Sequence, residues 1–135
     1  MKRIWILFIL FLALVGCSKT PKAIIEVESN PSTGYSWQLK QSKSLFEVEE
    51  KFDQPKSSQV GKSGIMRYRL IPKEEGTTEI KLSYQREWEE ENLIEYIYRF
   101  TVSSDLTVEY EFISSNMTNS EIEAMGLSYP NIEME

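Results

Sequence analysis

The side chains that most often perform covalent chemistry are nearly absent from this 135-residue chain. It contains no histidine and a single cysteine, Cys17. A Ser-His-Asp triad, a Cys-His dyad, an intrachain disulfide and a zinc site built on cysteine and histidine are therefore excluded. We accordingly expect no catalytic residues and no cofactor.

Carboxylates are the one reactive group present in quantity, with 21 Asp and Glu against 15 Lys and Arg. Two carboxylates can hydrolyse a glycosidic bond, but the acidic run at residues 89–91 is more simply a solvated loop. No Asp-x-Asp-x-Asp-Gly calcium loop occurs. We therefore predict that the protein is not an enzyme and binds no metal. Nucleic acid is also a poor partner, since it requires clustered cations.

Cys17 lies in a context typical of lipid attachment. Lys2 and Arg3 precede an apolar run of 12 residues, 4–15, which is too short for a transmembrane helix and typical of a secretory signal. Residues 14–17, Leu-Val-Gly-Cys, resemble a bacterial lipobox, in which cleavage leaves the cysteine as a lipidated N-terminus. The alternative is a buried apolar segment with a free cysteine. We predict a membrane-anchored, extracytoplasmic lipoprotein.

Beyond residue 22 the apolar residues recur with a period of two, which predicts strands. The candidate strands are rich in Ile, Val, Tyr, Thr and Phe, and turn sequences containing Asn, Pro and Gly separate them. They span residues 23–29, 35–40, 45–49, 65–71, 77–86, 93–103 and 106–113. This pattern predicts an all-β fold, an immunoglobulin-like antiparallel β-sandwich.

Two finer expectations concern the later part of the chain. Leu93 and Ile97 interrupt the alternation of the sixth strand, so we interpret that strand as central and nearly buried on both faces. Thr118 and Glu121 form a capping box, which predicts a short helix after the last strand. The predicted organisation is a signal peptide at 1–16, a lipidated linker at 17–22, a sandwich at 23–103 and a C-terminal strand and short-helix extension of unknown role at 104–135.

Three loops between the predicted strands carry recognisable features. Residues 30–35, Asn-Pro-Ser-Thr-Gly-Tyr, combine a proline that restricts φ with a glycine that tolerates positive φ, so this first loop is stiff. We expect Trp37, just after it, in the core, and leave Tyr35 open. The second loop, 56–64, is glycine-containing. The third, 86–92, places Trp88 at a polar hairpin tip, where an aromatic side chain is costly unless something binds it.

In content and order the three loops resemble those of the chagasin-like inhibitors of papain-family cysteine proteases. The family pattern has a first loop close to Asn-Pro-Thr-Thr-Gly-Tyr/Phe, a glycine-rich second loop and a third loop close to Arg-Pro-Trp/Phe. Glu87 stands where the family usually has proline. The resemblance implies a protease-binding surface composed of Asn30, Pro31, Ser32, Thr33, Gly34, Tyr35, Gly61, Ser63, Gly64, Arg86 and Trp88.

The resemblance also implies a function: reversible, non-catalytic blocking of a papain-like cysteine protease by three loops at one end of the sandwich. Ser32, Thr33 and Gly34 would face the catalytic cysteine of the protease, and the inhibitor would be monomeric. The alternative is a structural or adhesive immunoglobulin-like lipoprotein without a protease target. Burial of Trp88 would favour that alternative.

Overall fold

The computed structural model describes residues 22–54 and 63–135. Over these ranges the chain forms two antiparallel four-stranded sheets. The elements in chain order are β1 (Ala23–Ser29), β2 (Ser36–Gln41), β3 (Phe46–Asp53), β4 (Gly64–Pro72), β5 (Gly76–Gln85), β6 (Ile94–Val102), β7 (Val108–Ser115), α1 (Asn119–Ala124) and β8 (Asn131–Met134). One sheet has the order β3-β4-β1-β8 and the other β2-β5-β6-β7. The predicted immunoglobulin-like sandwich is thus confirmed.

Alternation along the strands explains why the sheets pack face to face. In β6 the side chains of Ile94, Tyr96, Tyr98, Phe100 and Val102 are buried, while the residues between them are half-buried or exposed. The neighbouring strand β5 and the facing strands β1 and β4 supply much of the rest of the core, including the fully buried Ile25, Tyr68, Leu70, Ile80 and Leu82. These strands therefore each have one face in the core, whereas β7 buries only Val108.

The sixth strand is central, as expected, because β6 lies between β5 and β7. The expectation that it is nearly buried on both faces is wrong. Leu93 precedes β6, and Ile97 lies on its outer face, beside a shift in the register with β7 between Ile97 and Tyr98. Such an irregularity allows an apolar residue to interrupt the period without a second buried face. Of the other predicted strands, the first has the same bounds as β1, and the rest are present with ends shifted by one to four residues.

The C-terminal extension packs on the same sandwich. β7 pairs with β6 at the edge of one sheet, and β8, which the sequence did not predict, pairs with β1 at the edge of the other. Between them, α1 is the predicted short helix. Its Ile122 is completely buried. Residues 108–134 therefore extend both sheets and contribute to their common core.

The strand register defines two ends of the sandwich. At the terminal end, the backbones of Lys22 and Glu135 form a pair of hydrogen bonds. At the opposite end, which we call the loop end, β1 finishes at Ser29. In residues 22–54 and 63–135, no helix is long and apolar enough to cross a bilayer.

Candidate functional site

The strand pairings bring the first loop, the third loop and the described end of the second loop, Ser63 and Gly64, to the loop end. Ser29 pairs with Gly64, Ser36 with Gln85, and Tyr84 with Ile94, so the connections between these strands all emerge on one side of the molecule. The predicted site residues of the first and third loops are therefore neighbours. Of the second loop, Ser63 and Gly64 are described, whereas Gly61 lies outside the described residues.

The first loop is held in one conformation by its own side chains. Pro31–Thr33 form a single 3-10 turn, for which Asn30 is the N-cap. The Asn30 Oδ1 accepts hydrogen bonds from the Ser32 backbone N–H at 3.2 Å and from the Ser32 Oγ at 2.6 Å. The Thr33 Oγ1 donates to the Asn30 carbonyl at 2.7 Å and accepts from the Tyr35 N–H at 3.3 Å. Asn and Thr at these positions thus satisfy backbone groups that an exposed turn leaves open.

Gly34 ends the turn in a left-handed conformation, with φ of +81°. Its N–H donates to the Pro31 carbonyl at 3.1 Å, which closes the turn. A β-carbon here would also lie only 2.6 Å from the Cη2 atom of Trp88. Glycine is therefore required for two reasons, backbone conformation and close approach of the indole.

Arg86 joins the third loop to the first. Its Nε donates to the Thr33 carbonyl at 3.1 Å, and its guanidinium lies 4.1 Å from the centre of the Tyr35 ring. Stacking on an aromatic face suits the planar guanidinium. The same group forms an ion pair with Glu89 at 3.1 Å. The first and third loops consequently act as one unit, a connection that the motifs alone did not predict.

Trp88 is the most exposed large apolar side chain of the described chain, at 71%. Its indole lies against Gly34 and 5.7 Å from the Arg86 guanidinium, so one face is supported while the other is open to solvent.

Glu87, in the place of the family proline, does not prevent a tight turn. The Glu89 N–H donates to the Arg86 carbonyl at 3.2 Å.

Below the loops a column of aromatic rings leads into the core. Tyr35 stacks on Tyr84 with ring centres 5.1 Å apart, and Trp37 stacks on the other side at 4.8 Å. Trp37 is buried, as predicted, and its Nε1 donates to the Glu28 carbonyl at 2.7 Å. Tyr35, left open by the sequence, is half-buried between Arg86 and Tyr84. Stacked rings are rigid supports, so the first loop stands on a fixed base.

Gly64 has a packing role at the base of the second loop. It is buried, and a β-carbon there would meet the Phe52 ring at 2.5 Å and the Asp53 carbonyl oxygen at 2.6 Å. Both contacts involve the last residues of β3. The glycine thus permits β3 and β4 to converge at the loop end.

A groove of about 290 Å³ opens beside the first loop. Thr33, Tyr35 and Ser63 line it from the predicted loops, and Met125 and Leu127 line it from the C-terminal extension. The sequence pattern does not predict that the extension lies at the site. The available signal was the capping box at Thr118, which predicts where the helix starts but not where it packs.

The described part of the loop end carries negative charge, but its side chains are not grouped as metal ligands. Glu87, Glu90 and Glu91 are exposed around Trp88, and the nearby cation Arg86 is engaged with Glu89. Within residues 22–54 and 63–135, no three acidic or cysteine side chains are grouped so as to hold a metal ion. The first and third loops thus form an exposed, hydrogen-bonded surface with an open aromatic side chain, Trp88.

Comparisons with known proteins relate the chain to one family of protease inhibitors. Residues 18–102 match the family described as "Chagasin family peptidase inhibitor I42". The chain is 38% identical over 68 residues to Amoebiasin-2 of Entamoeba histolytica, covering 48% of this chain and 55% of that protein. It is 33% identical over 70 residues to Chagasin of Trypanosoma cruzi, covering 47% and 64% respectively. The chain thus spans less than two thirds of these relatives' lengths.

The fold is similar to a solved structure as well. The crystal structure of the cysteine protease inhibitor EhICP2 from Entamoeba histolytica superposes with a TM-score of 0.54 and 32% sequence identity. The match covers 59% of this chain and 77% of the other. Residues 103–135 lie beyond the family match.

Proposed function

Because the chain belongs to the chagasin family of peptidase inhibitors, we propose that it is a reversible inhibitor of papain-like cysteine proteases that blocks their active-site cleft with its loop end. It acts without catalytic residues or a cofactor, as a single copy bound to one protease. The named relatives support this choice of partner, since EhICP2 is described as a cysteine protease inhibitor.

The observation that carries the proposal is the preorganisation of the first loop. Four side-chain hydrogen bonds within residues 30–35 and the bond from Arg86 to the Thr33 carbonyl hold an exposed loop in one conformation. Ordering flexible groups at an interface costs roughly 0.5–1.5 kcal/mol per side chain. A loop ordered before binding avoids much of this cost, so an interface of ordinary size, about 1,600 Å², can bind tightly.

The same conformation explains how the loop would resist cleavage. Proteolysis requires the scissile carbonyl to be aligned with the nucleophile, within roughly 3–3.5 Å. Pro31–Thr33 are instead wound into a 3-10 turn closed by the Gly34 N–H. We propose that Ser32, Thr33 and Gly34 face the catalytic cysteine in this turn and that its hydrogen bonds keep the carbonyls out of alignment.

The second and third loops would contact the protease on either side of the first. We assign Trp88 as the anchor of the third loop, since aromatic residues and arginine dominate interface energies. Its exposed face is free to enter a partner, while Arg86 supports it from behind. Exposure of Trp88 argues against the adhesive-lipoprotein alternative, for which a buried indole was expected.

We also propose that Cys17 carries lipid and tethers the inhibitor outside the cytoplasm. The described chain begins at the terminal end, and β1 then runs for seven residues to the loop end, which is about 23 Å at 3.3 Å per residue. The loop end of the described sandwich is thus remote from Lys22, the point at which a tether at Cys17 would join the described chain.

The proposed function is tested by inhibition constants of the purified protein against papain. We expect Thr33→Arg to weaken inhibition by at least a hundredfold, about 2.7 kcal/mol, because a long cation at the centre of the first loop would clash in the cleft. Thr77→Arg, at an exposed threonine near the start of β5, is the matched control and should leave inhibition unchanged.

A second control separates size from hydrogen bonding. Thr33→Val retains the shape of the side chain but removes the Oγ1 bonds to Asn30 and Tyr35.

Absence of inhibition by the wild-type protein at micromolar concentration would reject the function. Equal inhibition by Thr33→Arg and wild type would reject the first loop as the element in the cleft.

A further inference from the structure

We propose that residues 125–127 of the C-terminal extension form a fourth protease-contacting element, which with the first loop accepts one side chain with both apolar and polar atoms from the rim of the protease cleft. This inference rests on the proposed function and extends it. The family match ends at residue 102, so the contact is a property of this chain's own extension.

The groove beside the first loop has the dimensions and the walls for this contact. Asn30, Thr33 and Ser63 give it a polar side, while Met125, Leu127 and Leu93 give it an apolar side. Its volume of about 290 Å³ lies at the lower limit of sites for small-molecule ligands, roughly 300–1,000 Å³. It is therefore better suited to a single protein side chain than to a separate ligand.

Position identifies the occupant. Thr33 belongs both to the turn that we place over the catalytic cysteine and to the groove. A protease that covers the first loop must therefore also cover the groove opening, and the nearest part of it is the rim of its cleft. Walls of mixed polarity favour a side chain that carries both apolar and polar atoms. Its apolar part gains from burial against Met125 and Leu127, and its polar atom can pair with the polar groups of the lining.

The extension is rigid where it meets the groove. The capping box of Thr118 and Glu121 begins α1, with the Thr118 N–H donating to the Glu121 carboxylate at 2.7 Å. At the other end, Gly126 has φ of +73°, and the Leu127 N–H donates to the Ile122 carbonyl at 3.2 Å. This is the geometry of a Schellman motif. With Ile122 fully buried, the segment that follows is fixed in place.

Asn116 ties the extension to the base of the third loop. Its Oδ1 accepts from the Glu95 N–H at 2.7 Å, and its Nδ2 donates to the Leu93 carbonyl at 3.3 Å. Leu93 is itself hydrogen-bonded through its N–H to the Tyr84 carbonyl at 2.9 Å. The extension is thus connected through short polar contacts to the same strands that carry the loops.

Met125 is the residue that would make the contact. Its side chain is 38% exposed, and methionine adapts readily to a partner surface. Met134 offers a matched control, since it is 44% exposed but pairs with Ala23 at the terminal end of the sandwich. A change at Met134 alters the same chemistry away from the proposed interface.

The experiment measures papain inhibition by the wild-type protein, Met125→Glu, Met134→Glu and Thr33→Arg, with a thermal melt of each. We expect Met125→Glu to raise the inhibition constant at least tenfold, Met134→Glu to change it less than twofold, and both melts to stay close to wild type. Hydroxyl-radical labelling of the papain complex provides a readout without mutation. Met125 should be protected from oxidation on binding, and Met134 should not.

The outcomes separate this inference from the function on which it rests. If the wild type inhibits and Thr33→Arg does not, but Met125→Glu inhibits normally or Met125 stays fully reactive in the complex, the fourth contact is refuted and the function stands. If Met125→Glu weakens inhibition only because it unfolds, unprotected Met125 in the wild-type complex again refutes the contact. Failure of the wild type to inhibit overturns both.

Discussion

Substitution of Gly34 by alanine tests how the first and third loops are joined. The left-handed φ of +81° costs an L-residue about 1–2 kcal/mol. The new β-carbon would lie 2.6 Å from the Trp88 Cη2 atom, so the indole must move. Because Trp88 is 71% exposed, it can swing into solvent at little further cost. We expect a stability loss of about 1–2 kcal/mol and a displaced indole.

Two glycines provide controls for this experiment. Gly126 has φ of +73°, and a β-carbon there meets nothing within 4 Å. Gly126→Ala should therefore lower the free energy of unfolding by about as much as Gly34→Ala, through backbone strain alone and with no displaced side chain. Gly76, with φ of +143° at the start of β5, introduces strain at the opposite end from the loops. Gly76→Ala should leave papain inhibition unchanged once the variant is folded.

The assay combines urea unfolding with inhibition constants against papain. We expect Gly34→Ala to weaken inhibition at least tenfold, and we expect the effect to be smaller when Trp88→Ala is already present, since residues that act together are non-additive. Full additivity of the two changes would show that Gly34 does not act through the indole. Normal inhibition by Gly34→Ala would refute the account of the joined loops altogether.

Three further predictions concern the core and the anchor. Tyr96 has a fully buried hydroxyl with no hydrogen-bond partner among the described residues, so Tyr96→Phe should leave the free energy of unfolding unchanged or raise it by about 1 kcal/mol; a clear loss would contradict this. Burial raises the pKa of Tyr98 to about 12, above about 10 for an unfolded tyrosine, so the unfolded state loses its proton first and stability should fall as pH rises from 10 to 12. Urea midpoints across this range should fall less steeply for Tyr98→Phe, and a flat wild-type profile would contradict the assignment. Cys17→Ala should release the full-length protein from the membrane fraction or stall its processing, and a processed variant retained in the membrane would rule out lipid as the tether.

The alternation of apolar residues was sufficient to predict the sandwich, because the strands that form the core, such as β5 and β6, bury alternate residues. β8 was missed because Asn131–Met134 is only four residues long and is held by its pairing with β1, which no local pattern reveals. The two-sided burial expected for β6 failed for a related reason. Ile97 sits at a register irregularity, which is a property of the paired strands rather than of one strand's sequence.

In the candidate site, too, local motifs predicted some features, whereas others depend on contacts between distant parts of the sequence. Local motifs predicted the first loop, since Asn30, Thr33 and Gly34 shape their own turn through hydrogen bonds a few residues apart. The hydrogen bond from Arg86 to Thr33 spans 53 residues of sequence, and no spacing rule predicts it. The approach of Met125 to the groove likewise depends on how α1 packs after β7, which only the folded chain determines.

Protection of the protease's catalytic cysteine tests the central claim most directly. Papain would be incubated with a slight excess of the purified protein and then treated with iodoacetamide, and alkylation of its active-site cysteine followed by mass spectrometry. If the first loop occupies the cleft, alkylation should slow in proportion to complex formation and resume at the normal rate when Thr33→Arg replaces the wild type. Alkylation at the uninhibited rate in the presence of bound wild-type protein would contradict the account.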